Sequence, residues 1–163
     1  MKTIYDDISQ AGKYNTDCAR DFFSESPAEF VAPVDKYSAW DAMLVCGRCV
    51  ALVEVKLRQL SLERVVQYGG TLFLQRDKYD RLCDERDRLN SLNYVVRLWY
   101  LNLLASGEAF LFDISNMPDS AWVTKSMNRA TYSRDYSQYK VDKRVALLRI
   151  DGALFSRKIN VAR

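Results

Sequence analysis

Asp41, Glu54 and Lys56 are the residues of this chain best placed by type and spacing to do chemistry. They stand in "WDAMLVCGRCVALVEVKLR", with twelve residues between the aspartate and the glutamate. Two short β-rich runs, "AWDAMLV" and "CVALVEVKL", flank Gly47-Arg48, the signature of a two-residue hairpin turn with glycine leading, as in type II′. If that pair is the turn, residues whose numbers total 95 face one another: Cys46 and Cys49, Val45 and Val50, Met43 and Leu52, Asp41 and Glu54. Directly opposed side chains have Cβ atoms about 4.5–5.5 Å apart, and like charges at that separation destabilise a sheet. A divalent cation relieves the repulsion, because Mg²⁺ is typically held by one or two carboxylates plus water and phosphate oxygens. Period-two alternation puts Lys56 on the same face at the same end, within reach of a phosphate. The same register gives Ala51, Val53, Val55 and Leu57 to the opposite face, which is wholly apolar and expected to pack on the core.

The hairpin also carries Cys46-Gly47-Arg48-Cys49. A structural zinc site takes four ligands, and Cys18 and Cys83 stand at unrelated spacing. A redox-active pair belongs at a helix N-terminus rather than across a β-turn. Three readings stay open: thiols without function, a labile disulfide, or a metal site. The chain has no histidine. Ser-His-Asp and Cys-His catalysis and His-ligated zinc are therefore excluded. Hydrolysis would have to run on carboxylates, Lys, Tyr, Cys or a metal held by oxygen.

The elements that must position these residues are legible in outline. Residues 4–25 read as a helix from apolar residues at helical spacing, followed by a proline-marked loop around Pro27 and Pro33. After the hairpin, "QLSLERVVQYGG" reads as a connector of one or two helical turns and "TLFLQ" as a buried strand. "RDKYDRLCDERDRLNSL" is a helix with an apolar stripe of Tyr79, Leu82, Cys83, Leu89 and Leu92, with Asp77 as its expected N-cap and the dense charge as a solvated face. "YVVRLWYLNLL" and "EAFLFDI" are expected to pair through Ala105-Ser106-Gly107. Residues 116–143 read as irregular, and "RVALLRI" as the last strand. The 163 residues suffice for one α/β domain with a mixed sheet, residues 1–92 carrying the helix, hairpin, strand and helix. No apolar run reaches the length of a membrane span, and the N-terminus has no signal-like apolar core, so a cytoplasmic protein is expected.

Charge is distributed unevenly. Residues 1–45 carry −4, residues 46–121 carry zero and residues 122–163 carry +7. The basic C-terminal third is a candidate footprint for a polyanion. Within it Arg129, Tyr132, Arg134, Tyr136 and Lys140 interleave cations that bind a phosphate backbone with rings that stack on bases. A loop pinned to the body by its tyrosines is the competing reading.

The pattern resembles the PD-(D/E)xK nuclease superfamily, whose members have a restriction-endonuclease-like fold. The residues that carry the likeness are Asp41 and the Glu54-Val55-Lys56 triplet on a central β-hairpin flanked by helices. "DKYSAWDAML" followed by "VALVEVKLR" is similar to small phage or bacterial members, in which a Tyr-containing segment precedes the Asp strand. Trp40 stands where the family often has proline. The resemblance implies that Asp41, Glu54 and the Val55 carbonyl ligate Mg²⁺ or Mn²⁺, and that Lys56 orients the attacking water and stabilises charge on the phosphorane. It implies auxiliary roles for Asp21 or Glu25 from the first helix, Gln67 and Arg58. The expected activity is metal-dependent hydrolysis of DNA phosphodiester bonds, as in a phage or mobile-element endonuclease, with RNA as the other substrate and a homodimer left open. The alternative is a catalytically inactive nuclease-fold protein that binds nucleic acid or inhibits a partner.

Overall fold

Two ten-residue strands, β3 (Cys49–Arg58) and β5 (Val95–Leu104), run parallel at the centre and pair along their whole length, from Cys49 opposite Val95 to Arg58 opposite Leu104. Both are apolar on both faces over most of their length, as strands buried from two sides must be. The structure is a computed structural model that describes residues 4–35, 37–128 and 140–159, with side chains described in these ranges except at 4–11 and 128. Around the central pair, the first helix α1 (Ile4–Phe22) is followed by β1 (Glu29–Val31) and β2 (Ala42–Cys46). The crossover between β3 and β5 holds α2 (Leu62–Gln67), β4 (Thr71–Gln75) and α3 (Arg76–Ser91). β6 (Glu108–Asp113), β7 (Trp122–Asn128), β8 (Lys140–Arg149) and β9 (Phe155–Lys158) complete it.

The main sheet has the order β1-β2-β3-β5-β6-β9 and is mixed: only β3 and β5 are parallel. A second, antiparallel sheet has the order β4-β8-β7. The expected α/β class, mixed sheet and central hairpin are therefore present. Among the described residues no helix is long and apolar enough to cross a membrane.

The hairpin forms in the expected register. Cys46 opposes Cys49, and the ladder runs to Ala42 opposite Val53. Gly47 takes φ +59°, while Asn93 is the one described non-glycine residue at positive φ, so the turn is of the II′ kind. Val53 and Val55 pack under α1 with Ala19, Phe22, Leu101 and Leu103. The opposite face is not open, contrary to the simplest reading of the alternation. Val50 and Leu52 enter the larger core with Leu98, Leu72, Leu74 and the α3 residues Tyr79 and Leu82. Glu54 and Lys56 therefore emerge only where that core ends.

Four further expectations are corrected. Gln75, not Asp77, is the residue before the first turn of α3, and Asp77 lies inside that turn. Leu92 follows the helix and is exposed. Residues 122–128, read as irregular, form β7, and "RVALLRI" is not the last strand because β9 follows. β7 is polar because its outward side chains face water. β9 is a four-residue edge strand, too short for its alternation to register. It docks where Gly107 leaves room: a Cβ there would stand 2.8 Å from the Ile159 carbonyl oxygen.

Arg58 ties the two sheets together. It is 7% exposed, its Nε donates to Asn102 Oδ1 (2.9 Å), and its Nη2 donates to the Phe73 carbonyl (2.5 Å) and the Tyr100 hydroxyl oxygen (2.9 Å). The guanidinium also lies over the Phe73 ring, 4.3 Å from its centroid. A side chain so engaged is not available to a phosphate, so the auxiliary role expected for Arg58 is replaced by a structural one. Removing it leaves buried acceptors without donors. Arg58→Met is expected to lower the unfolding free energy by about 3 kcal/mol, read as a lower urea midpoint. An unchanged midpoint contradicts the tie.

Candidate active site

The site is built where β2 stops and β3 continues. The hairpin phase turns the backbone groups of odd-numbered β3 residues towards β2, as the Asp41 N–H donating to the Val53 carbonyl (2.8 Å) records. β2 ends at Ala42, so the next such residue, Val55, has no strand opposite it. The Asp41 carboxylate replaces the missing strand: Oδ2 accepts the Val55 N–H at 2.8 Å. α1 secures the other side. Thr16 Oγ1 donates to the Asp41 carbonyl at 2.8 Å, and Asn15 Nδ2 lies 3.5 Å from the Val55 carbonyl oxygen. Asn15 also donates to the Asp41 carboxylate.

Glu54 is 8% exposed, and Lys78 Nζ stands 3.4 Å from its Oε1. Desolvation, then the charge of Asp41, pushes the Glu54 carboxyl up to about 7, against the pull of Lys78 and Lys56. Desolvation also raises Asp41, opposed first by the hydrogen bond from Val55 and then by the charge of Lys78. The charge of Asp41 thus reaches Glu54, although the ladder ends at Ala42 opposite Val53 and the two acids are not a ladder pair. Lys56 is exposed, and its ammonium is held below the usual lysine value by desolvation, then by the charge of Arg58. Glu54, Lys56 and Lys78 share a hollow of about 40 Å³ with Phe73, Gln75 and Tyr100. Asp41 opens instead on a wider cleft of about 350 Å³ between α1 and residues 32–41.

Among the described residues no three His, Cys, Asp or Glu side chains gather in one place. A cation here would find two carboxylates and the Val55 carbonyl. That set suits Mg²⁺ or Mn²⁺, which keep several waters and need few protein ligands.

The remaining candidates fall elsewhere. Asp21 and Glu25 are exposed and form no cluster with Asp41 and Glu54. The α1 residue that reaches the site is Asn15, an amide. Gln67 is exposed at the end of α2 and does not line the hollow; Gln75 does. Arg129, Tyr132, Arg134 and Tyr136 lie outside the described residues, and Lys140 is exposed at the start of β8. Lys78 was hidden in the charged face of α3, although its place three residues past the end of β4 could have marked it. Cys46 and Cys49 are exposed free thiols at the turn, at the far end of the hairpin from Asp41.

No family model matches the chain, and no curated protein matches it. Among solved structures it is similar to Hjc, a Holliday junction resolvase from the archaeal hyperthermophile Archaeoglobus fulgidus, at 10% identity over 83% of this chain and 84% of that one, with a TM-score of 0.49.

The Glu54 shift makes stability depend on pH. A carboxyl raised in the folded state binds more protons there than in the unfolded chain, so stability is fullest below about 4.5 and is lost as pH rises towards about 7. The expected loss is on the order of 3 kcal/mol. Glu54→Gln is expected to flatten this decline and to melt above the wild type at pH 8. Parallel melting curves for the two proteins from pH 5 to 8 contradict the assignment.

Proposed function

We propose that this chain is a metal-dependent nuclease that hydrolyses DNA phosphodiester bonds with Asp41, Glu54 and Lys56. The observation that carries the proposal is the buried Glu54, raised by desolvation and by the charge of the half-buried Asp41 at the end of the hairpin, with Lys56 beside Glu54 in the same hollow. The mixed sheet with its central hairpin, flanked by helices, is the setting that a restriction-endonuclease-like nuclease requires.

Asp41, Glu54 and the Val55 carbonyl would hold Mg²⁺ or Mn²⁺. When bound, the cation supplies Lewis-acid polarisation of the phosphate and a water of lowered pKa. The chain's own residues do the rest. The Val55 N–H fixes one Asp41 oxygen and leaves the other for a ligand. Asn15 orients the Val55 carbonyl. Lys78 neutralises Glu54 in the free protein and has to yield to an incoming cation. Lys56, exposed at the mouth, positions the water and stabilises negative charge on the phosphorane; its ammonium acts electrostatically rather than as a base.

A second reading keeps the fold without catalysis, as a nucleic-acid-binding or inhibitory protein. The ammonium of Lys78 already standing on Glu54 favours it.

Cleavage assays separate the two readings. Mg²⁺- or Mn²⁺-dependent cleavage of DNA is expected, with RNA run in parallel. Asp41→Ala and Glu54→Ala abolish it while circular dichroism stays native, and Lys56→Ala lowers the rate by about 10²–10³-fold. EDTA-resistant cleavage, or none on any DNA or RNA form, contradicts the proposal. Cys46→Ser with Cys49→Ser is expected to leave the rate within about twofold of wild type. Complete loss without unfolding would show that the thiols take part.

A further inference from the structure

The second sheet carries a like-charge pair that forms no salt bridge among the described residues. In the β7–β8 ladder Lys125 stands directly opposite Lys143. Opposed side chains of equal charge destabilise an antiparallel pair. Among the described residues neither ammonium has a carboxylate within salt-bridge distance. Asp77 and Asp80 line one hollow with Lys143, Arg76 and Arg144. The partner Lys143 does have is neutral: its Nζ lies 3.4 Å from Gln75 Oε1.

That contact joins the pair to the candidate active site. Gln75 lines the hollow of Glu54 and Lys56, and the charge of Lys143 acts on Lys56. By the alternation of β4 and β8, Gln75 and Lys143 point to the same side of the second sheet. A line of positive charge therefore runs from Lys56 past Gln75 to Lys143 and Lys125. It leads away from Asp41 and Glu54, and at Lys143 it passes a hollow in which Arg76 and Arg144 stand beside Asp77 and Asp80.

We propose that this face of the second sheet, with Lys125 and Lys143 at its centre, is a docking surface for the phosphate backbone of a DNA duplex, and that it leads the duplex to the hollow of Glu54. The proposal rests on the nuclease reading for what lies at the end of the track, but not for the track itself. Backbone contact explains why two lysines are kept opposed: phosphates supply the countercharge that the sheet lacks. Single strands are gripped by aromatic stacking, and this side of β7 and β8 presents Val123, Val141 and Leu147, half-exposed and aliphatic. A second copy of the chain docking here by two-fold symmetry would set lysine against lysine.

The test is fluorescence anisotropy of the full chain with a fluorescein-labelled DNA duplex of about 30 base pairs in EDTA, across a salt series. Lys125→Gln with Lys143→Gln is expected to weaken binding about tenfold and to reduce the slope of log K against log salt by about 2. Its melting temperature should equal or exceed that of the wild type, because the repulsion is gone. Unchanged affinity and slope, no measurable duplex binding by the wild type, or a lower melting temperature overturns the proposal. So does a wild-type preference for a single strand of equal length that the substitutions remove. The cleavage assay reads the nuclease function separately: binding without cleavage sinks the nuclease and leaves the track, whereas cleavage with an unchanged salt slope sinks only the track.

Discussion

The hydrogen bond from the Val55 N–H to the Asp41 carboxylate is the constraint on which the site depends. It exists because β2 begins only at Ala42, two residues short of the position that would face Val55. A main-chain N–H buried without an acceptor is unfavourable, so a side chain takes the place of a strand. The residue that does so is an acid, and Glu54, the neighbour of Val55 in β3, is another, which the charge of Asp41 raises. The fold thus satisfies a backbone group and sets up a charge problem with the same contact.

The charge problem is then only partly relieved. Lys78 approaches Glu54 from α3, and Lys56 stands at the mouth, yet Glu54 remains well above the usual carboxylate range. Burial wins over two nearby ammonium groups because desolvation of a carboxylate in this setting exceeds what partly exposed lysines return through solvent. Perturbed acids of this kind cluster at functional sites.

The sequence made the hairpin legible because one dipeptide settles it: Gly47-Arg48 sets the turn, and the turn sets the register as far as Ala42 opposite Val53; Asp41, the next residue, lies outside that ladder and gives its N–H to the Val53 carbonyl. β3, β5 and α3 were equally plain from their apolar patterns. What escaped was long-range. Nothing local tells that β4 leaves the main sheet to pair with β8, or that Arg58 spans both sheets through Phe73. Arg58, Glu54 and Lys56 alternate on one face of one strand, and only the third dimension separates a guanidinium locked to three acceptors from an ammonium in water. Asn15 and Lys78 were missed for the same reason. Each lies on a helix whose polar residues look alike in sequence, and packing alone selects the one that meets the site. Where an auxiliary acid was expected at Asp21 or Glu25, the α1 residue that reaches the Val55 carbonyl is the amide Asn15, earlier in the helix.

The most direct measurement is anomalous diffraction from a crystal soaked in Mn²⁺. The account predicts one strong peak bounded by the carboxylate oxygens of Asp41 and Glu54 and the Val55 carbonyl, with Lys78 withdrawn from Glu54. No peak between the two acids, with Lys78 still seated on Glu54, would contradict it.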